Sequence, residues 1–168
     1  DLPLPIWGTG EPGTEVSVQF AGQKKTAVVG KDGKWSTTLD PMPASAEGRT
    51  MTIAASDGTI EIKDILVGEV WLCGGQSNME WPLRASNNAD AEIAAGDTPW
   101  LRRIKAPHLL SRTPQADIDC AWEVSTRETV GNFTAIGTFM ARRLHQELGV
   151  PIGLLDINWG GTRAEPWT

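Results

Sequence analysis

Tyrosine is absent from this 168-residue sequence, and cysteine appears only at Cys73 and Cys120. With no C-x-x-C spacing, two cysteines build neither a disulfide framework nor a zinc site, and each reads as a small buried side chain. No apolar run approaches the roughly 20 residues that span a bilayer. The opening Asp-Leu-Pro-Leu-Pro has neither a basic stretch nor an apolar one, so no signal peptide is read there. Polybasic runs are also missing and the formal net charge is -6, which argues against nucleic acid or an anionic membrane as partner. No G-x-x-x-x-G-K-[ST] occurs, which removes the P-loop. What the chain has in excess is turn formers, 18 Gly and 11 Pro, and aromatic surface in the form of 8 Trp. The glycines and prolines imply many short elements, and the indoles fit either a core or sugar-stacking platforms.

The pattern of short elements changes near Asp64. Before it, Leu4 to Trp7, Val16 to Phe20, Thr26 to Val29, Trp35 to Leu39, Met51 to Ala55 and Thr59 to Lys63 read as strands. Gly8 to Gly13 reads as a loop, and Asp32-Gly33 and Asp57-Gly58 read as hairpin turns. This spacing predicts a small antiparallel β-sandwich, jelly-roll or immunoglobulin-like, over 1–64. After it, Ile65 to Cys73 reads as one strand buried on both faces, and Leu101 to Lys105 and Ile152 to Asn158 read as further strands. Ala89 to Ala95 reads as a short helix. Asn132 to Leu148 reads as a long one with an apolar stripe of Phe133, Ile136, Met140, Leu144 and Leu148, stopped by Gly149 and Pro151. Residues 65–168 therefore predict an α/β unit with a parallel sheet.

Two strand-to-turn junctions carry candidate chemistry. In Val70 to Trp81 a buried strand runs into Gly74-Gly75-Gln76-Ser77-Asn78. In open α/β sheets, ligands gather at such carboxyl ends. A serine there exposes its hydroxyl, and its backbone N–H beside a helix start suits a developing oxyanion. A helix N-cap serine and a phosphate cradle remain alternatives. The second glycine of G-x-S-x-G is lacking, which disfavours the α/β-hydrolase elbow. The second junction, Asn158 to Thr168, opens through Gly160-Gly161, whose amides fit a second oxyanion donor or simply a tight connection. Gly8 to Gly13 matches G-x-G-x-x-G but contains a proline and leads into a β-type segment, so the dinucleotide reading fails. Asn132-Phe133-Thr134 matches a glycosylation sequon and sits where a helix cap belongs. A serine nucleophile needs a histidine oriented by a carboxylate. His108 and His145 have no Asp three residues earlier, only Lys105 and Arg142, and no triad is read from this chain.

Gly68 to Leu83 (GEVWLCGGQSNMEWPL) resembles the first catalytic block of the sialate O-acetylesterase family, a branch of the SGNH hydrolases that includes acetylxylan esterases. Asn132 to Thr168 resembles a later block, and Pro3 to Val18 resembles the family's N-terminal β-domain, which this chain enters partway. The resemblance implies an SGNH-type, flavodoxin-like sheet, incomplete in this chain, with Ser77 as nucleophile. It implies an oxyanion hole from the amides of Ser77 and Gly161 or Gly160. It further implies an Asn donor and an Asp-x-x-His base in a C-terminal segment or second chain. Gln76, Asn78, Trp81, Trp159 and Glu165 are the substrate-binding candidates. No metal or organic cofactor is expected. The expected substrate is an acetylated carbohydrate, sialic acid or xylan, and that class suggests a secreted or periplasmic location. A rival reading is a non-catalytic carbohydrate-binding module using Trp81, Trp159 or Trp167 as platforms.

Overall fold

A computed structural model of the chain describes residues 2–167. Asp1 of the opening motif and Thr168 of the closing one lie outside the described residues. Two compact units divide between Val67 and Gly68.

The first unit is antiparallel throughout. Strands β1 (Leu4–Thr9) and β4 (Lys34–Leu39) form one sheet. Strands β2 (Glu15–Phe20), β3 (Gln23–Val28), β5 (Ser45–Ala55) and β6 (Gly58–Val67) form another, in the order β3-β2-β5-β6. The period-2 pattern places Val16, Val18 and Phe20 inward, where they meet Trp35, Leu39, Met42 and Met51 in one core. Gly8 and Thr9 extend β1 rather than open a loop. The Asp32-Gly33 turn forms, with Gly33 at φ +75°, but its flanking strands enter different sheets, so it is not a hairpin. A hairpin the turn signals did not single out joins β2 to β3 through Ala21 and Gly22, both at positive φ, as a type I′ turn requires.

The second unit holds β7 (Glu69–Gly75), β8 (Thr98–Lys105), β9 (Trp122–Ser125) and β10 (Ile152–Asn158), in the order β7-β10-β8-β9. β10 runs parallel to both β7 and β8. β9, which has no sequence signal of its own, is an antiparallel edge. Helices α1 (Ser77–Glu80), α2 (Ala89–Ala94) and α3 (Ala135–Leu148) complete the unit.

Three expectations need correction. The apolar run from Ile65 to Cys73 is not one strand; it breaks at Gly68, where a Cβ would lie 2.1 Å from the Pro151 carbonyl oxygen. Nor is β7 buried on both faces: it is a sheet edge, with Val70 58% and Leu72 65% exposed. Lastly, α3 starts at Ala135, after a 3-10 turn over Val130–Asn132. Its N-cap is Thr134, whose Oγ1 accepts the Gly137 N–H at 3.3 Å. The face α3 buries is Ala135, Gly137, Thr138 and Ala141, not a stripe of large residues. Small side chains let the helix approach the sheet: a Cβ at Gly137 would fall 2.9 Å from Cys73 Sγ. Ile136 is left exposed, while Met140 and Leu144 pack at the rim of the core.

Candidate functional site

Strands β7 and β10 end side by side, with Gly75 paired to Asn158. Each tip continues into one of the two glycine-containing junctions, so the fold brings the two motifs together. The Trp159 N–H donates to the Gly75 carbonyl at 3.0 Å. Gln76 Nε2 donates to the Thr162 carbonyl. Ser77 stands on this platform with its side chain exposed. The N-cap of α1 is Gln76, which makes no side-chain capping bond, so Ser77 is not spent as a cap. As the first residue of α1, Ser77 has an N–H with no intrahelical acceptor. Four residues make a negligible macrodipole, so the donor there is the amide itself rather than a helix end.

Gly160 lies against the serine. A Cβ on it would sit 3.3 Å from Ser77 Oγ and 2.7 Å from Glu80 Oε2. Its N–H is engaged, donating to Glu80 Oε2 at 2.6 Å. Gly161 follows at φ +77° with open space where a side chain would project. Its N–H makes no hydrogen bond among the described residues.

Sequence reasoning missed Glu80. It is the last residue of α1, and its other oxygen lies 3.1 Å from His108 Nε2. That nitrogen is also 3.0 Å from the Asn158 carbonyl oxygen, and the imidazole stacks on Trp159 at 4.5 Å. Both neighbours of Nε2 are acceptors, so Nε2 carries a proton. His145 is elsewhere, stacked on Trp100 at 3.8 Å with Nδ1 2.8 Å from the Val150 carbonyl. Neither imidazole hydrogen-bonds Ser77.

Two clefts meet at the serine. One, of about 560 Å³, is lined by Ser77, Glu80, Trp81, Arg84, Lys105 and Gly160 among others. The other, of about 470 Å³, is lined by Gln76, Ser77, Asn78, Ile136 and Trp167 among others. Trp81 is half exposed at the first cleft, its Nε1 donating to the Ala85 carbonyl. One face of Trp159 is covered by His108, which leaves it less free as a platform. Trp167 Nε1 donates to Thr162 Oγ1 at 2.8 Å. Asn78 and Glu165 are exposed.

Under the platform is a buried polar network. Asp156 accepts from Arg103 at 3.3 Å and lies 3.8 Å from Lys105 Nζ. Asn158 Nδ2 donates to Asp156 and, at 3.2 Å, to the Cys73 carbonyl. Burial, and then the Asp156 charge, push the Cys73 thiol up to about 11. No group of three or more His, Cys, Asp or Glu that would hold a metal occurs among the described residues.

No family model matches the chain. It is 34% identical to the sialate O-acetylesterase of Mus musculus over 97% of its length, and 33% identical to that of Homo sapiens over the same share. The chain spans about a third of the length of these curated relatives. All of it superposes, with a TM-score of 0.96 and 36% identity, on 39% of the crystal structure of a carbohydrate acetylesterase from Xanthomonas citri. Along nearly its whole length the chain is a homologue of the sialate O-acetylesterases.

Proposed function

We propose that this chain carries the nucleophile half of a carboxylic ester hydrolase that removes O-acetyl groups from sugars. The observation that carries the reading is Ser77 Oγ, exposed where β7 and β10 end together, with Gly160 alongside. In this mechanism Oγ attacks the acetyl carbonyl as a histidine takes its proton. The amides of Ser77 and Gly161 hold the oxyanion, the sugar leaves as an alcohol, and an acetyl-serine remains. Water, activated by the same histidine, releases acetate. On this reading the second unit is an SGNH-type domain preceded by a β-sandwich, with the boundary expected near Asp64 moved to Val67–Gly68, where β6 ends.

The histidine and its aspartate are assigned to a C-terminal segment or second polypeptide of the same enzyme. That segment also suits the apolar face on which Val70, Leu72 and Ile157 are exposed. A secreted or periplasmic location follows from the substrate class.

A fluorophosphonate probe and an aryl acetate, used on the longest polypeptide carrying this chain, test the reading. The expected outcome is labelling of Ser77 and acetate release, both lost in Ser77→Ala while sugar binding persists. Wild-type acetate release by Ser77→Ala would refute it. The rival, a carbohydrate-binding module, draws on the exposed Trp81 and on the lack of an imidazole bonded to Ser77. It predicts sugar binding with no labelling at all.

A further inference from the structure

We propose that Glu80 is a positioning residue that holds the Gly160-Gly161 turn so that the Gly161 amide, rather than that of Gly160, faces the acyl oxygen. This rests on the esterase reading and adds a residue to it. Glu80 and Ser77 share one turn of α1, so the carboxylate moves with the nucleophile. From there it bridges to the neighbouring junction: Oε2 accepts the Gly160 N–H at 2.6 Å, and Oε1 lies 3.1 Å from His108 Nε2. His108 is itself fixed by the Asn158 carbonyl and by stacking on Trp159. The residues on both sides of the 159–160 peptide are thereby tied to one carboxylate. Among the described residues, this is the contact between the two strand tips made by an ionisable group, and charge-assisted bonds are shorter and stronger than neutral ones.

Two consequences separate this role from others. With the Gly160 N–H pointed at Glu80, the oxyanion site keeps the next amide, whose N–H is unused among the described residues. A carboxylate with both oxygens occupied is poorly placed to take the Ser77 proton, so Glu80 is not the base. Negative charge near a developing oxyanion is unfavourable by itself. Here Arg84, Arg103 and Lys105, which line the same cleft, counter it.

Hydrogen exchange over the peptide holding Gly160 and Gly161, read by mass spectrometry beside steady-state kinetics on an aryl acetate, tests the proposal in the full-length enzyme. Glu80→Ala is expected to speed exchange there by about tenfold or more. It is expected to lower kcat by roughly 10- to 100-fold with KM within about twofold, short of the full loss of an oxyanion donor. Glu80→Gln keeps an acceptor oxygen and is expected to recover most of both. Unchanged exchange in Glu80→Ala, or a Gln variant as impaired as the Ala variant, overturns the proposal. If Glu80→Ala does not fold, His108→Ala, which removes the second partner of the carboxylate, is expected to speed exchange a few-fold; no change overturns it equally. A wild-type enzyme that neither labels at Ser77 nor releases acetate ends the esterase reading and the positioning role with it. The exchange data then still report whether Glu80 holds the turn.

Discussion

Cys73 and Asp156 are direct partners across the parallel ladder of β7 and β10, and burial, seconded by the carboxylate, opposes ionisation of the thiol. The folded thiol ionises near 11, above the ordinary value of 9.0. Below about pH 9 both folded and unfolded chains keep the proton, and the stabilisation is fully present. Between about 9 and 11 only the unfolded chain loses it, so stability falls as pH rises. Urea titrations at pH 8 and pH 10.5 are expected to show a loss that Cys73→Ala lacks. In the same range a thiol-alkylating reagent is expected to modify the half-buried Cys120 well before Cys73.

Asp156 faces two cations in the buried layer under the serine. Asp156→Ala leaves Arg103 with Glu123 as its carboxylate partner, at 2.5 Å, beside the Asn132 carbonyl, and Lys105 with the side chain of Asn158. Breaking one member out of a buried ionic group costs about 3–5 kcal/mol. The expected result is a lower urea midpoint at unchanged slope, since the exposed area on unfolding is the same.

Gly137 sets two effects against each other. Alanine gains about 1 kcal/mol in helix propensity. Its methyl would meet Thr134 Cγ2 at 2.5 Å, Cys73 Sγ at 2.9 Å and Leu154 Cδ1 at 3.2 Å. Overpacking of this kind costs about 1–3 kcal/mol, so the steric effect wins and Gly137→Ala is expected to lower Tm by several degrees. A higher Tm would show that α3 can slide outward freely.

Gly160 and Gly161 are expected to respond differently to alanine. At Gly160 the methyl meets Glu80 Oε2, the terminal atom of a side chain, and the nucleophile, with no backbone atom nearer than 3.5 Å. Tm should therefore change little, while aryl acetate hydrolysis falls at least tenfold. At Gly161 there is room, but φ of +77° costs an L-residue roughly 1–2 kcal/mol. The Gly161 variant should lose Tm as well as activity. Equal behaviour of the two would contradict the geometry described.

The strand-glycine-serine junction was legible because local chain chemistry makes it: an apolar run, two glycines and a polar turn. Its pairing with Gly160-Gly161 was legible only through family resemblance, because nothing in the spacing of 75 and 160 states that β10 lies beside β7. Glu80 and His108 were invisible for the same reason. Their signal is a contact between residues 28 apart, and neither sits in a pattern that demands the other. Helix α3 misled through its large apolar residues. Periodicity marks where bulky side chains recur, whereas close helix-sheet packing here selects Ala135, Gly137, Thr138 and Ala141.

Among the described residues the outer edge of β7 pairs with no other strand, which has a consequence for handling the polypeptide. A strand with unsatisfied backbone groups along one side, next to greasy residues such as Val70 and Leu72, is a template on which a second molecule can pair. Left bare, it invites precipitation or runaway stacking as concentration rises, and a soluble preparation must keep that ladder shielded.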